Sequence, residues 1–196
     1  DFDGTLIAGY SATTFIRAQL KRGDLSPGQF VELMRAMTNF GLGSMGFSGM
    51  MAINAQFMRG TEEETYNEVG RALYGKQIAR LVYPESRALV AAHQAKGHTV
   101  AIISSATPYQ VEPAAADLGI EHVLCTKLEV EGGKFTGGVI SPTCFGQGKV
   151  DAAENLARHY RANLDNSFFY SDSQDDLLLL ERVGHPRALN PSPKLD

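Results

Sequence analysis

The sequence predicts an α/β protein, a three-layer Rossmann-like core around a parallel sheet with a helical cap inserted after the first motif. From Pro84 onward, β-branched apolar runs alternate with Ala- and Leu-rich helical stretches, the order that builds parallel strands with crossover helices. Residues 10–80 break that alternation and carry helical spacing alone. A chain of 196 residues with 43% hydrophobic and 20% charged side chains is large enough for one domain plus a small lobe and lies outside disordered or collagen-like composition.

Within the cap, residues 11–21, 26–37 and 61–74 have helical periodicity. Between them, residues 36–58 hold no charged side chain, four glycines and five of the six methionines, together with Ser, Thr, Asn and Gln. That mixture is too polar and too glycine-broken to span a bilayer. Flexible thioethers suit either a cap core or an adaptable apolar surface for a greasy substrate, a membrane edge or a partner chain.

The core follows. Pro84 is a favourable first helical residue and Gly97 a stop, so residues 85–96 read as a helix. Residues 98–103 form a β-branched run of the kind buried on both sheet faces. Pro108 opens a second helix that Gly119 closes, and 122–126 is the next strand, completing a βαβ unit. Gly132-Gly133, between 127–130 and 135–139, supplies the positive φ of a tight hairpin. Residues 149–161 are helical, 167–170 a short strand, 175–183 helical, and 187–189 a last strand. The core is then 1–9 with 81–196, and the cap 10–80.

Composition excludes several classes. A net charge of −4 provides no field for gathering nucleic-acid backbones. Cys125 and Cys144 are too few for a disulfide framework and sit in no CxxC, so both read as reduced core thiols. None of the five histidines falls at metal-ligand spacing. With neither an 18-residue apolar stretch nor a basic leader, a cytoplasmic setting is expected. An opening directly on Asp1-Phe2-Asp3, a pattern that normally follows a buried strand, suggests a piece of a longer chain.

Asp1 and Asp3 alternate along an extended segment, so their carboxylates leave on one face. Gly4 permits a sharp turn and Thr5 can hydrogen-bond it. Singly, such a pair serves a loop or a helix cap, Ser104 a strand-end hydroxyl, Lys149 a solvated helix start, and Asp175 a helix N-terminal charge. Together with the run Ser171-Asp172-Ser173-Gln174-Asp175-Asp176 they form an ordered set at strand ends, which converge on one crevice in an open α/β sheet.

That set resembles the haloacid-dehalogenase-like (HAD) phosphohydrolases, specifically the phosphoserine-phosphatase-like subclass IB with a helical cap. The DxDGT motif falls on residues 1–5, the hydroxyl motif on Ser104, the lysine motif on Lys149, and the acidic motif on Asp172 with Asp176. The resemblance implies an Mg²⁺-dependent phosphomonoester hydrolase working through an aspartyl-phosphate. Asp1 would be the nucleophile and Asp3 the general acid and base. Ser104 would bind a phosphoryl oxygen, with Ser105 its rival, and Lys149 would supply positive charge. Asp1, Asp172 and the Asp3 carbonyl would hold Mg²⁺, with Asp176 bracing the metal site. Ser105, Ala106, Gly4, Thr5 and Tyr10 are expected around the substrate.

Asp3 points to phosphate esters over halides, because only an alkoxide leaving group needs its proton. The phosphoserine phosphatases carry a Glu seven residues after the second motif-one Asp, where this chain has Tyr10. The expected substrate is therefore a small or lipid-like phosphate monoester and not phosphoserine. Ser171, Ser173 and Asp175 also replace the Gly, Gly and Asn common in the acidic motif. Arg17, Arg35 and Arg59 are further candidates for contacting the leaving group. Two alternatives stay open: a phosphotransferase of the same family, and a regulatory HAD domain of a larger, acyltransferase-fused protein. A homodimer is also open.

Overall fold

The computed structural model describes residues 1–193 and 195. After the first motif come four consecutive helices: α1 (Ser11–Arg22), α2 (Pro27–Gly41), α3 (Phe47–Met58) and α4 (Glu63–Lys76). Local chemistry sets their ends. Gly23, left-handed at φ 79°, stops α1, and a Ser26–Gln29 capping box with Pro27 in the first turn starts α2. α3 has no side-chain cap and is apolar on most faces. It is held by burial of Phe47, Met51, Ala55 and Met58.

A 3₁₀ turn (Ile78–Leu81) leads into α5 (Pro84–Ala95), β1 (Ala101–Ser104), α6 (Pro108–Leu118), β2 (His122–Cys125), β3 (Leu128–Glu131) and β4 (Lys134–Val139). The chain continues through α7 (Gln147–Tyr160), β5 (Phe168–Ser171), α8 (Leu177–Arg182) and β6 (His185–Ala188). β1 pairs with β2 in parallel, from Ala101↔His122 to Ser104↔Cys125. β5 pairs with β6 in the same sense, from Phe168↔His185 to Ser171↔Ala188. The opening segment joins β5 where the Asp1 nitrogen donates to Tyr170 O at 2.8 Å. β3 and β4 form an antiparallel hairpin turned by Gly132 and Gly133 at φ 57° and 77°.

Two neighbouring isoleucines show the layering. Ile102 of β1 packs in one core with Val111, Ala114 and Ala115 of α6. Ile103 packs in the other with Val150 and Ala153 of α7 and Leu179 and Leu180 of α8. A strand whose consecutive side chains enter separate cores has helices on both faces, so the fold is the three-layer α/β arrangement. Each buried Val, Leu or Ile among them contributes about 1.5–3 kcal/mol by leaving water.

Some boundaries differ from expectation. β1 begins at Ala101 rather than at residue 98, because pairing with β2 starts there and His98 and Thr99 remain exposed. The acidic run forms a 3₁₀ turn (Gln174–Asp176) before α8, and β6 ends at Ala188. Cys125 and Cys144 are free thiols. Burial pushes them up to about 12 and about 11 respectively, so neither is a thiolate nucleophile at neutral pH.

Helices α3 and α4 pack against later parts of the chain, the β3–β4 hairpin on one side and α6 on the other. The Gly60 and Phe135 N–H groups donate to Phe135 and Thr61 carbonyls at 2.8 and 3.0 Å, and Gln56 Nε2 donates to Gly137 O at 3.0 Å. On the other side α4 packs on α6, with Gly70 so close to Tyr109 O that no Cβ fits. Among the described residues no helix is long and apolar enough to cross a membrane.

Candidate active site

Three segments meet beside α1–α3: the opening segment, the loop after β1, and the loop after β5. α7 adds Lys149 from its first turn. Lys149 is 3% exposed. Its Nζ donates to Asp1 Oδ1 at 2.9 Å and lies 2.7 and 2.8 Å from Asp176 Oδ1 and Oδ2. Asp176 Oδ2 also accepts from the Ser171 hydroxyl at 2.7 Å. Both Asp176 oxygens are thus occupied by Lys149 and Ser171, and Asp176 acts on the site through them.

Asp172 is held differently. The Thr5 hydroxyl donates to Asp172 Oδ1 and accepts from the Asp172 backbone N–H, both at 3.1 Å. Gly4, at φ 73°, passes so close that an ideal Cβ would stand 2.5 Å from Asp172 Cγ. Gly4 and Thr5, expected at the substrate, therefore sit behind Asp172, and neither lines the cavity. Gly4 gives the carboxylate room and Thr5 aims it.

Asp3 Oδ1 accepts the Ser11 N–H at 2.7 Å and Oδ2 accepts the Ser11 hydroxyl at 3.1 Å. Burial raises the Asp3 carboxyl to about 6, partly opposed by those two Ser11 bonds and assisted by the Asp172 charge. Asp172 is also raised, first by burial, with the Thr5 hydrogen bond opposing.

The phosphate-side loop holds its two serines differently. Ser104 is 1% exposed, and its hydroxyl turns inward to accept the Ala106 N–H at 3.2 Å. Ser105 and Ala106 line the cavity, and Ser104 does not. Accepting that bond still leaves the Ser104 hydroxyl a hydrogen to donate, while the rival Ser105 is half-buried and lines the cavity.

The cavity measures about 420 Å³. One side carries Asp1, Asp3, Asp172, Asp175, Asp176 and Lys149, and the side built by α1–α3 carries Phe15, Leu33, Met37, Phe40, Met50 and Met58, among others. Phe145, from the loop before α7, stacks on Phe47 with centroids 4.6 Å apart. Tyr10 lines the rim and is 65% exposed. Arg17, Arg35 and Arg59 are exposed and do not line it.

Five aspartates against one lysine leave the lining with surplus negative charge, and two of the carboxyls are already pushed up by burial. Such a site favours a hard divalent cation. Among the described residues no three His, Cys, Asp or Glu side chains enclose a metal by themselves.

Ser11, Gln110 and Thr107 are not among the site residues the sequence pointed to. Thr107-Pro-Tyr-Gln110 has the S/T-x-x-Q pattern of a capping box, and that signal was available. Nothing local marked Ser11, whereas Ser171 opens the acidic run.

Comparison with known proteins places the chain. The family model for haloacid dehalogenase-like hydrolases matches residues 1–181. A Mycobacterium tuberculosis protein named "Probable phosphatase" is 40% identical over 114 residues, 58% of this chain and 39% of that protein. The phosphoserine phosphatase SerB1 of the same organism is 30% identical over 200 residues, covering 100% of this chain and 65% of its own length. This chain thus spans about two fifths to two thirds of those relatives. A crystal structure of a Bordetella pertussis protein of unknown function superposes with a TM-score of 0.89 at 24% identity, covering 100% of this chain and 90% of that one, a likeness of fold.

Proposed function

The chain belongs to the haloacid dehalogenase-like hydrolases, and on that premise we propose that it is an Mg²⁺-dependent phosphomonoesterase working through an aspartyl-phosphate on Asp1. The observation that carries this reading is the buried Lys149 ammonium, 2.9 Å from Asp1 Oδ1 in a cavity shared with Asp3 and Asp172. A carboxylate attacks a phosphate dianion only where positive charge offsets the repulsion.

In the first step an Asp1 oxygen forms the bond to phosphorus. The bond to the leaving oxygen breaks, and its electron pair takes the proton carried by the Asp3 carboxyl. In the second step the Asp3 carboxylate takes a proton from water as that water bonds to phosphorus, which frees phosphate and the Asp1 carboxylate. An acid raised to about 6 by burial is suited to both duties near neutral pH.

Lys149, fixed by Asp176, orients Asp1 and meets charge on the phosphoryl oxygens. Ser105 and the N-terminus of α6 supply donors on the opposite side. Asp1, Asp172 and the Asp3 carbonyl are the groups to hold Mg²⁺, which when bound adds positive charge against the phosphoryl oxygens.

No charged side chain from α1–α4 lines the cavity, so the helical wall offers an amino-acid headgroup no counter-ion. The apolar wall and Tyr10 favour an uncharged, apolar, lipid-like leaving group over phosphoserine.

The test replaces Asp1 by Asn. With Mg²⁺, the parent releases phosphate from p-nitrophenyl phosphate and yields an acid-stable labelled enzyme on rapid quenching, and the variant does neither. Turnover retained by the folded variant overturns the assigned nucleophile. Decyl phosphate cleaved no faster than phosphoserine overturns the leaving-group reading.

A further inference from the structure

We propose that Ser11 and Gln110 are positioning residues that aim the Asp3 carboxyl at the leaving oxygen. The proposal rests on the reading of Asp3 as proton donor. The chain of bonds has a fixed direction. Gln110 Oε1 receives the Thr107 backbone N–H at 2.9 Å and the Thr107 hydroxyl at 2.8 Å.

A backbone N–H can only donate, so the carbonyl end of the amide must face Thr107 and the NH₂ end must face away. That NH₂ end, Nε2, donates to Ser11 Oγ at 3.0 Å. With an oxygen lone pair so occupied, the single Ser11 hydroxyl hydrogen goes to Asp3 Oδ2, while the Ser11 N–H holds Oδ1. Ser11 is fully buried and Gln110 nearly so, leaving water little access to supply alternative partners.

The chain of bonds joins the first residue of α1 to the capping box that opens α6. The acid is therefore aimed only while the first cap helix sits on the helix that meets the phosphoryl group. A carboxyl free to rotate loses alignment with the leaving oxygen, and misalignment matters most where that oxygen cannot depart without a proton.

The experiment measures kcat/KM, which reports phosphoryl transfer to Asp1, for p-nitrophenyl phosphate and for an unactivated alkyl phosphate. Asp3→Asn, Ser11→Ala, Gln110→Met and the Ser11→Ala/Gln110→Met double variant are compared with the parent. General acids contribute about 10²–10⁴-fold. Loss of aim in Ser11→Ala or Gln110→Met is expected to cost about 30-fold with the alkyl ester and under about threefold with the aryl ester. The double variant should lose little beyond either single one, because the residues act as a unit.

Equal losses on both esters, or losses that multiply in the double variant, mean a structural role and overturn the proposal. If Ser11→Ala melts below the assay temperature, the ester ratio of Gln110→Met decides alone. Equal losses on both esters in Asp3→Asn instead overturn the proton-donor reading itself.

Discussion

Replacing Lys149 by Met removes one ammonium and almost no volume, so its effect isolates charge. Lys149, Asp1 and Asp176 side chains are 4%, 9% and 2% exposed. At separations of 2.9 and 2.7 Å and an effective dielectric of about 20, the attraction to each carboxylate is about 6 kcal/mol before desolvation is counted. Much of that is cancelled by the cost of burying the ions. What the variant loses is the neutralisation of two carboxylates that remain buried, which typically costs about 3–5 kcal/mol.

For a chain of 196 residues, that corresponds to a fall in Tm of roughly 6–20 °C. Adding Asp176→Asn to the Lys149→Met variant should restore about half of the loss, since one stranded charge is removed while the Ser171 hydroxyl keeps an acceptor. Phosphatase turnover should stay down by more than about 10³-fold in both variants, because the charge beside Asp1 is absent from each. Calorimetry and urea titration in EDTA measure the stability terms, and phosphate release measures turnover. A Lys149→Met protein within about 3 °C of the parent, or no recovery in the double variant, refutes the view that Lys149 neutralises this cluster.

Asp3→Asn should stabilise the metal-free protein while abolishing alkyl phosphate turnover. The folded carboxyl is raised from 3.8 to about 6, so ionising it costs about 3 kcal/mol at neutral pH, of which an amide recovers about 2. Because the folded value lies above the unfolded one, the variant's advantage is full above about pH 7, shrinks as pH falls through about 6, and vanishes below about 4. Urea midpoints across that range in EDTA check it, and a pH-independent difference contradicts it.

Gly4→Ala should lower Mg²⁺ affinity and activity by at least about 100-fold. The new Cβ meets the Asp172 carboxylate, and a left-handed φ costs about 1–2 kcal/mol more. Isothermal titration with Mg²⁺ alone measures the first loss. Gly70→Ala, which drives a methyl into Tyr109 O, should cost about 1–3 kcal/mol by loosening α4 from α6. Limited proteolysis then should cut within residues 10–80 before the core.

Elements whose ends are set by near neighbours in sequence could be read from the chain. α6 runs from Pro108 to the residue before Gly119 because proline and glycine act within one turn, and the β3–β4 hairpin turns where two glycines accept positive φ. α3 could not be bounded this way. Apolar on most faces, it offers no helical stripe, and Gly46 before it provides no side-chain cap.

The same divide runs through the site. Asp1, Asp3, Lys149 and Asp172 were legible because each motif marks its own residue type. What each residue faces was not legible, because facing depends on partners far along the chain: Thr5 meets Asp172 across 167 positions, and Gln110 meets Ser11 across 99. Ser104 illustrates the cost. Its place at the end of a buried strand makes it the expected hydroxyl for phosphate, and the turn after it sets the Ala106 N–H on its oxygen and Ser105 in the cavity lining. A motif therefore specifies which atoms a site contains, while the loop geometry that no single motif encodes determines which of those atoms remain free to touch a substrate.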